Sequence, residues 1–330
     1  MKVNVHNNVS GLQSSDIYIL LTGDGFVGSG ISVNTPQKLS DLPSSSFEVS
    51  KLIGGRLYVS YYDAPPRNPI PDSTNYYGYL EFTIGDDSVL WVDISSVDTF
   101  GVPIQFKVGD NNVGYQSSHN QIVKNIQAIP GINSGKITID CSHGHLKIVG
   151  ANVFYDAQPP FTPYLQTLAG SQLKVISLDD SPLTYHFEGS FGAQGGVSLK
   201  STTDSNTFEI TADQLTSQYI YLCNGNCVWN GSTRNAMSPN DACAAIYRDI
   251  MIGLNEGYFS SRGENNTHNF PNMKPFIGDY GNQYARMIHE GSQSYGYPFA
   301  DMNLKTLIRQ PVGDSTAFDL YILGDDETSA

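Results

Sequence analysis

The sequence predicts a mainly β protein in which a β-barrel or β-sandwich domain is accompanied by a second, mixed α/β domain. Short apolar or alternating runs recur through the first half, separated by Gly, Asn, Asp and Pro, as in antiparallel β domains. Later segments show the apolar spacing of amphipathic helices. The chain then ends on another strand-like run, which suggests that the β domain is completed after the mixed segment.

Strand signals dominate the first 110 residues. Between the third and fourth of these runs lies Gly85-Asp86-Asp87, a sequence that favours a hairpin turn. Strand signals at this spacing are typical of a sandwich or barrel. The predicted strands are 16–23, 55–62, 79–84, 89–95 and 102–108.

The middle of the chain mixes helices with further strands. Residues 238–259 form the clearest predicted helix, with Ser238 or Asn240 as its cap and Gly257 where it would stop. Its apolar stripe is Ala242, Ile246, Ile250 and Leu254. Other helices are predicted at 119–131 and 281–292, and other strands at 136–140, 145–154, 172–178, 183–189 and 316–325.

This order of elements predicts two domains. Residues 1–115 would form the β domain, completed by residues 294–330, and residues 116–293 would form the mixed α/β domain.

The charge balance excludes some partners. Among 330 residues, 32 are acidic and 18 basic, which gives a formal net charge of −14. Binding to nucleic acid or an anionic membrane depends on clustered Lys and Arg, so neither is expected. The low share of charged residues (15%) and the 20 tyrosines suit an uncharged, hydroxyl-rich ligand such as a sugar, although many β proteins share this composition.

No apolar stretch is long enough to span a bilayer. The N-terminus lacks the basic start and apolar core of a signal peptide. Three explanations stay open: a mature form with an added Met, another export route, or a protein that stays inside the cell.

Four cysteines allow three complete pairings, between which the sequence does not choose. A short-loop disulfide between Cys223 and Cys227 is conceivable, and buried free thiols are an equally good interpretation. The stretch from Cys141 to His145, with His143, is the nearest candidate for zinc, but its residues are expected on a turn between strands. We expect no metal site.

Acidic residues gather around the predicted hairpin. They are Glu81, Asp86, Asp87, Asp93 and, just beyond, Asp98. Glycosidic bond hydrolysis usually needs two carboxyl groups, one as proton donor and one that activates water or attacks the sugar. Asp86 and Asp87 make the turn itself, where solvated Asp is common.

Strand alternation assigns faces to the hairpin. On a two-residue period Glu81 shares a face with Tyr79 and Thr83. Trp91 shares a face with Asp93 and Ser95, whereas Leu90, Val92 and Ile94 form a wholly apolar face that suits the core. If the register pairs like faces, both polar sets meet in one groove.

Two blocks resemble the thaumatin-like superfamily. YLEFTIGDDSVLWVDISSVDTFGVPIQF (79–106) resembles its central strands and turn, and SYGYPFADMN (294–303) with AFDLYILG (317–324) resembles its closing part. DACAAIYRDIMIGLNEG (241–257), NQYARMIHE (282–290) and the scarcity of cysteine resemble glycoside hydrolase family 64, the β-1,3-glucanases. The resemblance covers most of the chain from about Gly55, with a weak stretch near 155–220.

The resemblance implies an endo-acting β-1,3-glucanase of the laminaripentaose-producing type with a thaumatin-like barrel, an open groove beside the α/β domain and an inverting mechanism. Glu81 would be the general acid, its pKa raised by partial burial, and Asp98 the ionised general base. No metal or organic cofactor is implied, since carboxylates suffice. The expected partner is β-1,3-glucan, and the protein is expected to be an extracellular monomer.

The resemblance also implies substrate contacts, each with a plainer alternative. Thr83, Trp91 and Ser95 match groove positions, although Trp91 could lie in the barrel core. Asp93 matches the superfamily's acidic cleft or hydrogen-bonds beneath the hairpin. Asp301 matches an acid on the cleft's rim or stabilises its turn.

One departure concerns an arginine. Where plant thaumatin-like proteins place an Arg late in the strand that begins Gly55-Arg56, this chain has Ser60. This difference favours the hydrolase family.

Two other functions stay open. One is a thaumatin-like protein that binds glucan, cell wall or a membrane target without cleaving it, for which an acid and a base would be superfluous. The other is a glycosidase acting on a different polysaccharide. A structural or toxin-like β protein would leave the hairpin acids unexplained.

Overall fold

The computed structural model describes residues 1–176, 185–236, 242–276, 278–304 and 306–329. Contacts group the chain into two compact units. The first unit comprises 1–157, 287–296 and 305–330, and the second comprises 158–286 and 297–304. The sequence placed the boundary at 115/116 instead. In the structure the segment after residue 115 stays with the first unit, because a strand at 146–149 pairs with one at 99–100.

The protein is mostly β, which confirms the predicted fold class. In chain order the strands are β1 (Lys2–Asn7), β2 (Ile17–Ser29), β3 (Gln37–Lys38), β4 (Ser46–Tyr61), β5 (Tyr77–Ile84), β6 (Val89–Ser95), β7 (Thr99–Phe100), β8 (Ile104–Val108), β9 (Asn111–Val113), β10 (Thr138–Asp140), β11 (Leu146–Val149), β12 (Gln172–Ile176), β13 (His186–Phe191), β14 (Val197–Ser201), β15 (Thr207–Ile210), β16 (Asn226–Trp229), β17 (Ser232–Asn235), β18 (Asn265–Asn266), β19 (Ser294–Tyr295), β20 (Ile308–Pro311) and β21 (Ala317–Ile322).

The described α-helices all begin after residue 118. They are α1 (His119–Gln127), α2 (Ser134–Ile137), α3 (Thr162–Leu168), α4 (Ser217–Leu222), α5 (Ala242–Asn255), α6 (Gln283–Gly291) and α7 (Ala300–Leu304). Within the described part of the chain, no helix is both long and apolar enough to cross a membrane.

The first unit is built on one large sheet that curls into a nearly closed barrel. Its central path runs β19-β6-β5-β4-β1-β21-β8-β9, with β2 paired to β4 and β20 paired to β6. The non-adjacent strands β5 and β21 meet through their inward side chains, since Phe82 contacts Phe318 edge to face with ring centroids 5.5 Å apart. Phe318 also stacks on Phe106 of the neighbouring strand β8. The barrel core is therefore the apolar face predicted for the hairpin.

The hairpin turn lies where it was predicted. The Ser88 N–H donates to the Gly85 carbonyl (3.1 Å), and Ser88 takes the left-handed conformation (φ 56°). The preceding strand, β4, begins nine residues before the predicted start at 55, because its first part pairs with β1 and β2.

The second unit is mixed α/β, as predicted. Its sheet has the order β17-β16-β15-β14-β13-β12-β18, and α5 packs against it with Ile246, Ile250 and Leu254 buried. The helix ends near Gly257, which has φ 70°. The proposed caps Ser238 and Asn240 lie outside the described residues, as do the ends of the predicted strands at 172–178 and 183–189.

The structure also settles the cysteine pairing. Cys227 of β16 forms a disulfide with Cys243 of α5, with Cα atoms 6.8 Å apart, and this bond ties the helix to the sheet. Cys141 and Cys223 are buried free thiols. A bond between Cys223 and Cys227, which the sequence left conceivable, is therefore not formed.

Candidate active site

The polar faces of β4, β5 and β6 combine into one surface of the first unit. The register places Glu81 opposite both Arg56 and Asp93, and Tyr79 opposite both Tyr58 and Ser95. Two rows of polar side chains thus cross three strands. The predicted pairing of like faces in the hairpin is confirmed, and Thr83 lies opposite Trp91.

Glu81 lies in the middle of the first row. Its Oε1 accepts a hydrogen bond from the Arg56 guanidinium (3.2 Å), and its side chain is 38% exposed. The sequence-based expectation gave Glu81 a partly buried environment. The structure gives Glu81 this intermediate burial and also places it beside a cation, because its strand neighbour Arg56 points to the same face.

Asp98 lies in the turn between β6 and β7, where its carboxylate accepts hydrogen bonds from two sides. The Tyr79 hydroxyl donates to Oδ2 (3.2 Å) and the Asn152 amide donates to Oδ1 (2.8 Å). Its backbone carbonyl accepts from the Gly150 N–H (2.8 Å). A Cβ at residue 150 would come within 1.9 Å of the Val97 carbonyl oxygen, so this close approach requires glycine.

Arg56 connects the two acids. Its second terminal nitrogen lies 3.6 Å from Asp98 Oδ2. Because one planar guanidinium reaches both groups, the two contacted carboxylate oxygens lie within about 9 Å of each other. The guanidinium also lies over the Tyr79 ring, 5.0 Å from its centroid. Partial burial disfavours its charge, but Tyr79, Tyr58 and Glu81 raise its pKa above the usual value.

The second row is buried and supplies hydroxyl groups. The Ser95 hydroxyl donates to the Tyr79 hydroxyl (3.1 Å), which in turn donates to Asp98. Burial, and secondly the charge of Asp98, raises the pKa of Tyr79 well above its ordinary value, so this hydroxyl keeps its proton. The chain from Ser95 through Tyr79 therefore fixes the orientation of Asp98.

Asp93 is 3% exposed and lies beside Glu81 on the same face of the sheet. Tyr295 of β19 lies close to both acids: burial raises its pKa well above the ordinary value, and the charges of Asp93 and Glu81 raise it further. Asp93 therefore belongs to the carboxylate cluster, whereas its predicted contact with substrate stays a prediction.

Trp91 lies at the open end of this surface. Its side chain is 37% exposed, and the guanidinium of Arg309 from β20 lies 4.6 Å from its ring centroid. The alternative of a barrel-core indole is therefore wrong. Thr83, across from it, is half-buried.

Asp301 belongs to the second unit, whereas the carboxylate cluster belongs to the first. It lies in the first turn of α7, in the second unit. Its predicted role at the rim stays a prediction.

Sequence reasoning missed Arg56, Asn152 and Arg309. Arg56 could have been found from the two-residue period of β4, which puts it on the face of Tyr58. Asn152 reaches Asp98 only because β11 pairs with β7, and that long-range pairing has no local signal.

The candidate zinc residues are engaged otherwise. His143 stacks on Tyr62, with centroids 3.6 Å apart, and His145 Nδ1 lies 2.7 Å from an Asp325 carboxylate oxygen. Across the described ranges, no group of three or more His, Cys, Asp or Glu side chains is arranged to hold a metal ion.

Comparison with known proteins gives a family and a fold. A sequence model of glycoside hydrolase family 64, described as beta-1,3-glucanase, matches residues 32–311. No curated protein matches the chain in sequence.

Among solved structures, the chain is similar to a β-1,3-glucanase domain (GH64) from Clostridium beijerinckii, with 15% identity, a TM-score of 0.72 and 98% of each chain covered. It is also similar to the GH family 64 laminaripentaose-producing β-1,3-glucanase from Paenibacillus barengoltzii, at 15% identity, with a TM-score of 0.59 and coverage of 98% of this chain and 75% of that one. The same enzyme complexed with laminarihexaose gives 15% identity, a TM-score of 0.57 and the same coverage. At such identity these likenesses show the fold alone.

Proposed function

We propose that this chain, which belongs to glycoside hydrolase family 64, the β-1,3-glucanases, cleaves β-1,3-glucan internally with inversion at the anomeric carbon, using Glu81 as general acid and Asp98 as general base. The roles are assigned on the resemblance to the family, and one observation supports the choice of these two carboxylates. Two carboxylates on one polar face are held by the same guanidinium, within about 9 Å of each other.

This upper bound covers the carboxyl spacings of both glycosidase mechanisms, and we assign the inverting one on the resemblance to the family. Inverting glycosidases hold their carboxyl groups about 6.5–9.5 Å apart, which leaves room for a water molecule, whereas retaining ones hold them about 5–5.5 Å apart. Asp98 takes a proton from the water as it attacks the anomeric carbon. Glu81 gives its proton to the leaving glycosidic oxygen, so a β-linked sugar is released as the α anomer.

The surroundings of the acids support these roles. Asp98 is oriented by Tyr79 and Asn152, whose donated hydrogen bonds suit a group that must accept a proton. Glu81 is the more exposed of the two, at 38% against 29%, and so is open to an incoming glycosidic oxygen. Each step needs only proton transfer between carboxylates, water and sugar.

The same surface supplies contacts for the glucan chain. The exposed ring of Trp91 offers an apolar face for a pyranose, with Thr83 beside it. On the resemblance of their motifs we assign substrate contacts to Ser95 and Asp93 and, separately, to Asp301 of the second unit. The likeness to a laminaripentaose-producing enzyme, solved with laminarihexaose, supports pentasaccharide products.

We further propose that the protein acts outside the cell, as a monomer. The disulfide between Cys227 and Cys243 supports this location, because disulfides form and persist mainly in oxidising compartments.

The test is digestion of laminarin, a soluble β-1,3-glucan, with products resolved by size. Glu81→Gln and Asp98→Asn should each lower kcat by about a hundred- to ten-thousandfold while the far-UV circular dichroism stays unchanged. Asp86→Asn is the matched control: this exposed turn acid of the same hairpin pairs with Lys51, and its loss should leave kcat within about twofold.

Stereochemistry gives an independent check. Proton NMR of the first-formed product should show the α anomer before mutarotation. A β anomer would contradict the inverting assignment, and near-wild-type turnover in Glu81→Gln would contradict the choice of acid. Binding of laminarin without any cleavage by the wild-type protein would favour the non-catalytic alternative.

A further inference from the structure

Arg56 contacts both proposed catalytic carboxylates but has no role in the acid–base scheme above. One terminal nitrogen donates to Glu81 Oε1 at 3.2 Å, and the other lies 3.6 Å from Asp98 Oδ2. A guanidinium is planar and carries its donors in a fixed fork. The guanidinium therefore lies between the two carboxylates, with one terminal nitrogen directed at each.

The guanidinium is itself held in place. Its central carbon lies 5.0 Å from the centroid of the Tyr79 ring, and the Tyr58 hydroxyl is a hydrogen-bonding partner. Tyr58 and Tyr79 are almost fully buried and sit directly opposite each other on β4 and β5. Because the guanidinium packs against two buried aromatic side chains, the strands that hold these side chains also hold Arg56 in place.

We propose that Arg56 is a positioning residue that sets the spacing of Glu81 and Asp98 and, through its charge, the pH range over which this pair works. The inference rests on the proposed function, since it assumes that these two carboxylates perform the reaction. It adds Arg56, on the neighbouring strand β4, to the two carboxylates as a third residue of the site.

The charge of Arg56 acts on both acids in the same direction. A nearby positive charge favours the ionised form of a carboxyl group. The other titratable groups that face Glu81 are Asp93 from β6, which opposes this effect, Tyr295 from β19, Tyr58 from β4, Tyr79 from its own strand and Asp98 from the following turn. The three tyrosines hold their protons, because burial is the largest cause of a raised pKa at each of them, although the hydrogen bond and charge of Arg56 partly oppose it at Tyr58. Arg56 and Asp93 are therefore the charged neighbours on the two adjacent strands.

Loss of the positive charge has a recognisable signature. The acidic limb of the activity profile, where the base must be ionised, and the alkaline limb, where the acid must be protonated, should both move to higher pH, because a positive charge no longer favours the ionised form of a neighbouring carboxyl group.

The experiment compares Arg56→Gln with Arg56→Lys in laminarin hydrolysis across the pH range. Arg56→Gln should shift both limbs and lower kcat about 10- to 100-fold, with KM within about threefold, since misplaced carboxylates slow the chemical step. Arg56→Lys keeps the charge but loses the fork, so its limbs should stay within about 0.2 pH unit of wild type while kcat still falls about tenfold.

Arg309→Gln is the matched control. It removes the same charge from the same unit, but from a side chain that covers Trp91 and not the carboxylates. It should leave both limbs in place. Thermal melts of all three variants verify that each is folded, and if Arg56→Gln does not fold, Arg56→Lys alone decides the positioning role.

Two results would overturn the inference. One is an Arg56→Gln profile whose limbs coincide with those of wild type while kcat falls, which would leave Arg56 a structural contact. The other is unchanged kcat in Arg56→Lys. A measurement without substrate separates this inference from the proposed function: in ¹³C-carboxyl NMR at one pH, the carboxyl signals of Glu81 and Asp98 should move in Arg56→Gln and stay in place in Arg309→Gln. If wild type cleaves no laminarin, the proposed function fails, and the NMR comparison still decides whether Arg56 positions these two acids.

Discussion

Replacing Trp91 with Ala tests whether this side chain binds substrate in a groove or stabilises the barrel core. Trp91 lies on β6 opposite Thr83 of β5 and Arg309 of β20, with its ring on the polar face of the sheet. The proposed function uses this ring as an apolar platform for a glucose unit. The substitution should therefore weaken glucan binding more than it weakens folding.

The expected loss of stability follows from burial. Truncating a fully buried Trp to Ala costs about 3–5 kcal/mol. Trp91 is 37% exposed, and its contact with the Arg309 guanidinium is of the exposed kind, worth about 0.5–1 kcal/mol. We expect a cost of about 1–2 kcal/mol, which lowers Tm by only a few degrees in a chain of this length. Loss of an aromatic anchor should weaken laminarin binding about tenfold or more.

The chain has two tryptophans, which makes the assay direct. In a Trp229→Phe background carrying Glu81→Gln to prevent hydrolysis, all indole fluorescence comes from Trp91, and titration with laminarin should change it. Trp229→Ala is the matched control: this half-buried indole of β16 packs against Phe187, so its loss should lower Tm and leave binding unchanged.

The refuting result is a reversed order of effects. If Trp91→Ala lowers Tm by more than about 10 °C while the surviving folded fraction binds laminarin as wild type does, the side chain stabilises the barrel and its proposed role in substrate binding is wrong. Fluorescence that does not respond to laminarin would refute it independently.

Two further predictions concern the second unit. Burial raises the pKa of Glu256 to about 7 from its usual 4.5, despite hydrogen bonds from Tyr297, Tyr258 and Asn303. The folded protein therefore keeps a proton that the unfolded chain releases, and this contribution to stability is lost as pH rises from about 4.5 to about 7. Denaturant unfolding at pH 5 and pH 8 should show a fall of up to about 3 kcal/mol in wild type and a smaller one in Glu256→Gln. Replacing Cys227 and Cys243 with Ser should lower the unfolding free energy by about 3 kcal/mol, because the disulfide closes a loop with a sequence separation of 16. Wild type treated with dithiothreitol should match this variant, and an unchanged free energy would contradict the loop-closure argument.

Periodicity predicted the elements that pack against one neighbour. The two-residue alternation of β6 placed Leu90, Val92 and Ile94 on the core side, where the structure buries them. The four-residue stripe of α5 likewise marked its buried face. These predictions hold because one buried face imposes its period on the sequence.

Features that depend on long-range pairing were not predictable from local patterns. The strands β14 to β17 carry weak signals, because their outer faces mix polar residues of many kinds. The disulfide pairing could not be predicted, because Cys243 reaches Cys227 only when α5 packs on the sheet. Cys223 takes the left-handed conformation at the end of α4, and its sulfur contacts a different residue, Asn255. The boundary at 115/116 differs from the observed grouping for the same reason: β11 pairs back to β7.

The candidate site depends both on local alternation and on long-range strand pairing. Local alternation puts Glu81 and Trp91 on a polar face, but the register between β4 and β5 brings Arg56 to Glu81. A slip of one residue in this pairing would turn Arg56 to the other face, and a slip of two would place Tyr58 opposite Glu81 and remove the cation from both acids. The register is held by the barrel core on the opposite face of the same strands. Packing in the core and the geometry of the carboxylate pair are therefore two consequences of one strand alignment, and a core substitution that shifts β4 against β5 should impair catalysis without touching the polar face.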